Sequence, residues 1–285
     1  MRRVLLTFGD GNLRPSLRRL SHQARVMQAY DEVVCASPRD LDPVFLRRYA
    51  SVLRADVRGF GYFCWKPQLI YEVLGSLCPG DVLHYCDVGC HLNRKGRPRL
   101  FDYFDLVASC DSGVLAFSAM PLPASFGPLA NAIPFPTWLN RVWCKADTLA
   151  YFGLENDSHF QAEPITVATS AFFRKSPSCE AVVAKWRTAF MDDFSLIDDS
   201  PSRKANDPSF IEHRHDQSLF SCLSHIHGFR TLSNGELELP RSDLGAGNWG
   251  LLASHPIHAR RDKTLSIKNR VLRSILGRWN RRRSV

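Results

Sequence analysis

The sequence has no run approaching the ~20 apolar residues that a membrane span needs, no C-x-x-C pair and no internal repeat. Its opening, "MRRVLLTFGDGN", is too short in apolar residues for a secretory signal before turn residues begin. The nine cysteines (Cys35, Cys64, Cys78, Cys86, Cys90, Cys110, Cys144, Cys179, Cys222) are odd in number and scattered. That usage predicts a reduced, cytoplasmic protein whose cysteines mostly fill its core. His213 and His215 have no cysteine or acid at zinc-ligand spacing, which argues against a zinc site. A net basic excess is also missing from most of the chain. Ten of the 37 Lys/Arg and one of the 28 Asp/Glu fall from Arg260 onward, so the preceding body carries 27 of each. A neutral body weighs against nucleic acid as partner, because that partner favours a basic face on the folded domain.

What is present is an alternation of short apolar strands and amphipathic helices. Residues 2–8 read as a buried strand, "EVVCAS" as a second, "DVLHYCD" as a third, with "GVLAFS" and "ITVATSAFFR" later. Helical patterns lie between them, at 17–30, "LDPVFLRRYASVL", "WKPQLIYEVLGSL", "WCKADTLAYFG" and "PSCEAVVAKWRTAFMDDF". The alternation predicts an α/β fold, a mixed sheet with helices on both faces. A body of 1–259 is followed by a basic tail of 260–285. In that tail Leu265, Val271, Leu272, Ile275, Leu276 and Trp279 lie near one helical stripe ringed by arginines. Two readings stand for it: a helix on an anionic membrane surface, or a solvated basic terminus. The loops at 121–137 and 195–210 are long enough to serve as lids.

Three stretches could carry chemistry. In "GDVLHYCDVGCHLN" the third strand delivers Asp87 at its carboxyl end, where α/β sheets bind ligands. A carboxylate there suits a divalent cation, and Gly89 suits close approach of a diphosphate; a plain turn aspartate is the alternative. "FIEHRHDQSLFSCLSHIHG" crowds His213, Arg214, His215, Asp216 and Gln217 at a helix start, where Asp216 also fits as a cap. In "RVWCKADTLAYFG", Trp143, Lys145 and Asp147 set an aromatic face beside opposite charges, suited to a sugar ring or equally to a core. Trp65–Lys66 repeats the theme, with Lys66 able to meet a phosphate.

In their order, "LTFGDGN", "FGYFCWKPQLIYEVL", "DVLHYCDVGCHLN", "VWCKADTLAYFG", "SAFFRKS" and "EHRHDQSLFSCL" resemble bacterial and viral glycosyltransferase-like proteins of the GT-A type, encoded for surface-polysaccharide synthesis. The likeness spans roughly residues 4–260, and more distantly extends to the xyloglucan xylosyltransferase type. It implies a GT-A-like, Rossmann-type single domain, a nucleotide-sugar donor (a UDP-sugar foremost), a glycan or lipid-linked acceptor, and Mn²⁺ or Mg²⁺. Carried over, Asp87 is the first acid of D-x-D, with Gly89 in place of the second. The late histidine ligand falls on His258 or His255. Should the metal matter little, Lys66 or Arg214 would help neutralise the leaving group. Thr7, Phe8, Gly9 and Asp10 would flank the nucleoside, with Trp65 beside the donor. Asp216 and Gln217 would face the donor sugar, Asp216 steadying an oxocarbenium-like centre or acting as base, with retention favoured. Asp147 is a second candidate base; Trp143, Lys145 and His215 line the acceptor side. The missing second acid leaves a rival of another class, a nucleotide- or glycan-binding protein without turnover. A metal-dependent phosphohydrolase would need more carboxylates than Asp87 and Asp216. The implied location is cytoplasmic, peripheral on the inner face of the membrane.

Overall fold

The computed structural model describes residues 1–127, 137–238 and 248–262. Most of the Pro-rich loop and the tail beyond Asp262 therefore lie outside the described residues. Six strands form the main sheet: β1 (Arg3–Phe8), β2 (Glu32–Ala36), β3 (Val82–Cys86), β5 (Val114–Ser118), β6 (Thr166–Arg174) and β7 (Arg230–Ser233). Their order is β2-β1-β3-β6-β5-β7, and β4 (His91–Leu92) pairs with β8 (Ile257–His258) in a small second sheet. In the main sheet β6 alone runs antiparallel to its neighbours. This is the mixed, Rossmann-type sheet in a single domain that the sequence leads one to expect.

Strand alternation splits the core in two. Val4, Leu6, Phe8, Leu83 and Tyr85 point to one face, where they meet α3 (Trp65–Gly75), α8 (Pro177–Asp192) and α9 (Asp216–Ile226). Leu5, Val82 and Cys86 point to the other, against α1 (Arg14–Met27) and α4 (Arg97–Ala108). Successive side chains on a strand alternate faces, so Asp87 continues the Leu83–Tyr85 row toward α3 and α9. The face was thus set by parity, two residues before the acid.

Some elements are shorter than the sequence pattern predicts. The helix read over "LDPVFLRRYASVL" forms only as α2 (Pro43–Arg48), and turns carry the chain onward. "WCKADTLAYFG" splits: α5 (Asn140–Trp143) ends at Cys144, Lys145 is extended, and α6 (Ala146–Tyr151) restarts. The helix α7 (Ser158–Ala162) then leads into β6. Residues Gly59 to Phe63 make a left-handed turn, with φ of 60°, 54°, 90°, 54° and 64°. For Phe60, Tyr62 and Phe63 this conformation costs roughly 1–2 kcal/mol each, so packing has to hold it.

On the α4 side, Glu236 is buried and receives Arg99 through Nε and Nη2 at 2.9 Å each, while Tyr103 donates at 2.6 Å. Glu236→Ala should lower unfolding free energy by ~3 kcal/mol, since it strands a half-buried guanidinium and a buried phenol. Urea denaturation measures this, and a loss below the error of the midpoint would mean water replaces the carboxylate.

Candidate functional site

β1 lies between β2 and β3, its two parallel neighbours, so the carboxyl ends of β1 and β3 frame a topological switch point of the sheet. Asp87 follows β3 there, its backbone N–H donating to Thr169 O at 2.9 Å. The pairing of β5 with β6 slips between Leu115 and Phe117, a bulge that spans the Ala168 stretch. Ala168 O instead accepts from Lys66 Nζ at 3.0 Å. Lys66, in the first turn of α3, is buried with a side chain 3% exposed. Its Nζ lies 2.8 Å from Asp216 Oδ2 and 3.4 Å from Asp87 Oδ1, with the Phe63 and Tyr85 rings 5.3 and 5.1 Å away. Tyr85 also donates its hydroxyl to Asp87 Oδ1 at 2.6 Å.

One ammonium therefore joins the two acids that the sequence placed in separate motifs. They differ in exposure: the Asp87 side chain is 34% exposed and that of Asp216 5%. Burial pushes Asp216 up to about 6, in spite of Lys66, whose charge pulls it back down. Burial also opposes the charge on Lys66, but Asp216 and Asp87 outweigh it and hold the ammonium above its usual value. At neutral pH Asp216 is therefore chiefly a carboxylate beside the Lys66 ammonium.

Beside it, Phe8 stacks on Trp65 with centroids 3.9 Å apart, and Trp65 Nε1 donates to Gly59 O at 2.9 Å. The left-handed turn serves this cluster: Phe60 packs on Phe8 at 6.0 Å, and Tyr62 lies 5.3 Å from the His215 ring. Thr7 is fully buried under the stack's strand, with no hydrogen-bond partner for Oγ1. Asp10 caps the turn that follows β1, accepting from Asn12 N at 3.1 Å. At Gly9 a Cβ would come within 2.9 Å of Leu17 Cγ, so this glycine admits α1. Gly89 has a similar cause: a Cβ would meet Arg261 Cα at 3.2 Å, and Gly89 O accepts from Asp262 N at 3.0 Å. Its missing side chain makes room for the protein's own chain. Arg19 further ties this loop by donating to Val88 O and Cys90 O at 2.7 and 2.8 Å.

The Asp147 carboxylate is engaged elsewhere. It accepts from Arg203 N and Lys204 N at 2.8 and 3.0 Å; those bonds overcome burial and hold it below its ordinary value. Lys145 Nζ donates to Asp198 O and Ser200 O at 3.2 Å each, and His213 Nε2 pairs with Leu196 O at 2.9 Å. These three residues pin the 195–207 loop, a job for which an acid need not be a base. His215 rests its Nδ1 on Ile197 O at 2.7 Å and adopts φ 55°, a strained entry to α9. Arg214 lies over the Trp143 ring at 4.1 Å and pairs with Glu212 at 2.9 Å. Burial lowers it, Glu212 pulls it back up, and the positive charges of Arg58 and Arg261 lower it again; Arg58 shares Glu212 with it, while Arg261 pairs with Glu238. Gln217 follows Asp216 on α9, half-buried.

The residues expected to hold a metal do not form a divalent-cation site. His258 has both ring nitrogens engaged, Nε2 with Leu252 O at 2.8 Å and Nδ1 with Arg260 Nη2 at 3.2 Å. His255 stacks on Phe126 and lies 3.9 Å from Glu236. Asp87 and Asp216 already share an ammonium, and no group of three or more His, Cys, Asp or Glu suited to a metal occurs among the described residues. A donor set of this kind does not fit Mn²⁺ or Mg²⁺, which prefer several free oxygens.

Sequence reasoning missed Tyr85, Ala168 and the 260–262 segment as parts of this site. Tyr85 was readable, since it precedes Asp87 by one strand period; the other two depend on long-range packing. A separate cavity of about 350 Å³ is lined by Ser118, Asn140, Glu163, Thr166, Ser224, His225 and others. It touches α9 through Ser221 and Ser224 but includes none of the trio.

No protein-family model matches the chain, and no curated protein does. Solved structures do. Mouse xyloside xylosyltransferase 1 in its apo form is 12% identical with a TM-score of 0.44, over 90% of this chain and 97% of that one. Galactosyltransferase LgtC with donor and acceptor sugar analogs is 10% identical with a TM-score of 0.40, over 90% and 86%. The 4-diphosphocytidyl-2C-methyl-D-erythritol synthase of Anaerococcus prevotii is 10% identical with a TM-score of 0.38, over 89% and 94%. Neither an activity nor a substrate follows from likeness at this level.

Asp216 yields a pH prediction. Its folded value of about 6 exceeds the usual 3.8, so between them the folded state holds more protons than the unfolded one. The group's contribution to stability is then complete below the usual value and lost as pH rises through about 6. Asp216→Asn should remove this component. The wild-type minus variant difference in urea midpoint should change between about pH 4 and pH 7, and a constant difference would contradict the raised value.

Proposed function

We propose that the protein transfers a sugar from a nucleotide-sugar donor to a glycan or lipid-linked acceptor, with a UDP-sugar as the first donor to try. The observation that carries this reading is the Asp87–Lys66–Asp216 trio at the switch point of the sheet, beside the Phe8–Trp65 stack. A ligand placed beyond the carboxyl ends of β1 and β3 would meet Asp10 with its nucleoside, above a buried floor formed by Thr7, Phe8, Gly9 and Trp65. Asp87, the more exposed acid, would face the donor sugar, where positive charge grows as the glycosidic bond breaks. Asp216 would act from behind Lys66, with Gln217 next to it on α9.

In the transfer, the bond from the anomeric carbon to the diphosphate breaks and its electron pair leaves with phosphate oxygen. A bond from the acceptor hydroxyl replaces it, and that hydroxyl's proton must pass to a base. Arg214, which shares Glu212 with Arg58, is suited to the diphosphate charge, since guanidinium groups pair phosphate oxygens in two-toothed fashion. Trp143, held under Arg214, supplies an aromatic wall for the acceptor side. The stereochemical outcome proposed is retention.

The test is a panel of UDP- and GDP-sugars, scored by released nucleoside diphosphate. Asp87→Asn should keep the fold by circular dichroism and lower turnover by about 10²–10⁴-fold. Asp216→Asn should lower turnover more than donor affinity. Unchanged turnover in Asp87→Asn rejects the role of the trio, and tight nucleotide binding without turnover on any donor favours the binding protein.

The basic tail is proposed to hold the protein on an anionic membrane surface at the cytoplasmic side. No helix among the described residues is long and apolar enough to cross a membrane. Asp262 belongs to the folded body, since its N–H reaches Gly89 O and its carboxylate lies 2.9 Å from His91 Nε2. A cut after Asp262 should therefore release the protein from phosphatidylserine liposomes and spare turnover on a soluble acceptor. Liposome binding that survives the cut would end the anchor proposal.

A further inference from the structure

The oxygens around Lys66 are those a hard cation takes. Nζ faces Asp216 Oδ2 at 2.8 Å, Ala168 O at 3.0 Å and Asp87 Oδ1 at 3.4 Å. Two carboxylates and a main-chain carbonyl converging on one point are a usual start for a Ca²⁺ or Mn²⁺ site. Here that point holds an ammonium, which donates to Ala168 O and lies within ion-pair range of Asp216 Oδ2 and Asp87 Oδ1. We infer that the Lys66 ammonium is the resident cation of this site, occupying the position between Asp87 and Asp216 that a divalent metal would otherwise take.

Several features make the substitution built in. Lys66 is 3% exposed and sits among Trp65, Pro67, Gln68, Leu69 and Ile70, which are all buried, so its stem has little room to swing aside. The Phe63 ring, held by the left-handed turn, and the Tyr85 ring flank Nζ at 5.3 and 5.1 Å and favour a cation there. A divalent ion could not share so small a space with the ammonium, because like charges at contact in a dry site repel strongly. The remaining oxygen of Asp87 offers one ligand, too few for a stable metal site. The departure from D-x-D fits this arrangement: with a covalently attached cation, Gly89 need not supply a second acid, and the loop is free to pack on Arg261. What this cation does in sugar transfer rests on the reading proposed above, whereas its position does not.

Manganese binding separates the two. Full-length protein is titrated with Mn²⁺ alone and followed by electron paramagnetic resonance of the free ion and by Tm. Wild type should show no saturable site, and up to 5 mM Mn²⁺ should leave Tm in place (a ceiling of roughly ten times a weak site's Kd). Lys66→Met keeps the stem and removes the charge. It should gain one Mn²⁺ per chain with Kd on the order of 10⁻⁴–10⁻³ M, and this site should vanish in Lys66→Met/Asp216→Asn. If Lys66→Met is unfolded without metal, Mn²⁺ should restore its circular dichroism. A wild-type Mn²⁺ site that Asp87→Asn abolishes overturns the inference. So does a Lys66→Met chain that folds and binds no Mn²⁺, or one that stays unfolded with the ion present. None of these outcomes depends on turnover, so a failed donor panel would end the glycosyl-transfer reading and leave the ammonium in place.

Discussion

A charged lysine held out of water is the constraint around which the rest is arranged. Removing an ammonium from solvent costs several kcal/mol unless opposite charge and hydrogen bonds replace the water. Lys66 receives both from parts of the chain that are far apart in sequence: the end of β3, the bulged middle of β6 and the first turn of α9. Each supplies one oxygen, so losing any of them would leave the cation short. The same requirement explains why Asp216 tolerates burial, because Lys66 opposes the rise in its proton affinity that desolvation imposes. The first six residues of α3, Lys66 among them, are all buried.

Backbone strain gathers around this pair. The left-handed turn at 59–63 and the positive φ of His215 lie on the two approaches to Lys66 and Asp216, and their rings pack on one another. Strain of roughly 1–3 kcal/mol per residue persists only where surroundings over-determine it. Here the Phe8–Trp65 stack, the Trp65 Nε1 bond to Gly59 O and the His215 bond to Ile197 O provide that restraint. The two charged groups are therefore delivered by stiff segments, which suits a site that must hold two carboxylates near one cation.

Much of this was legible because the signals were local. The strand ending in Asp87, the helix opening at Trp65–Lys66 and the helix opening at Asp216 all follow from periodicity and turn residues. Both acids and the lysine stood out in three separate motifs of the sequence. Their meeting at one point could not be read that way, because it depends on strand order and on the slip between β5 and β6. For the same reason Asp147 and Lys145 looked like chemistry. Adjacent opposite charges near a tryptophan are ambiguous until the 195–207 loop is seen folded over them, bonded through backbone N–H and C=O groups that carry no sequence signature. Gly89 misled in the opposite direction: a glycine after an acid suggests an approaching ligand, and here the approaching group is residue 261.

That last contact links the site to the end of the chain. Asp262 N–H bonds Gly89 O, its own carbonyl accepts from Ser16 Oγ and Arg19 Nη1, and its carboxylate lies against His91. Arg19 in turn holds Val88 O and Cys90 O, so one guanidinium spans the loop that follows Asp87 and the segment that precedes the tail. The net charge of the whole chain resides almost entirely past this knot. The point of exit is fixed beside the carboxyl edge of β3, within one residue pair of Gly89.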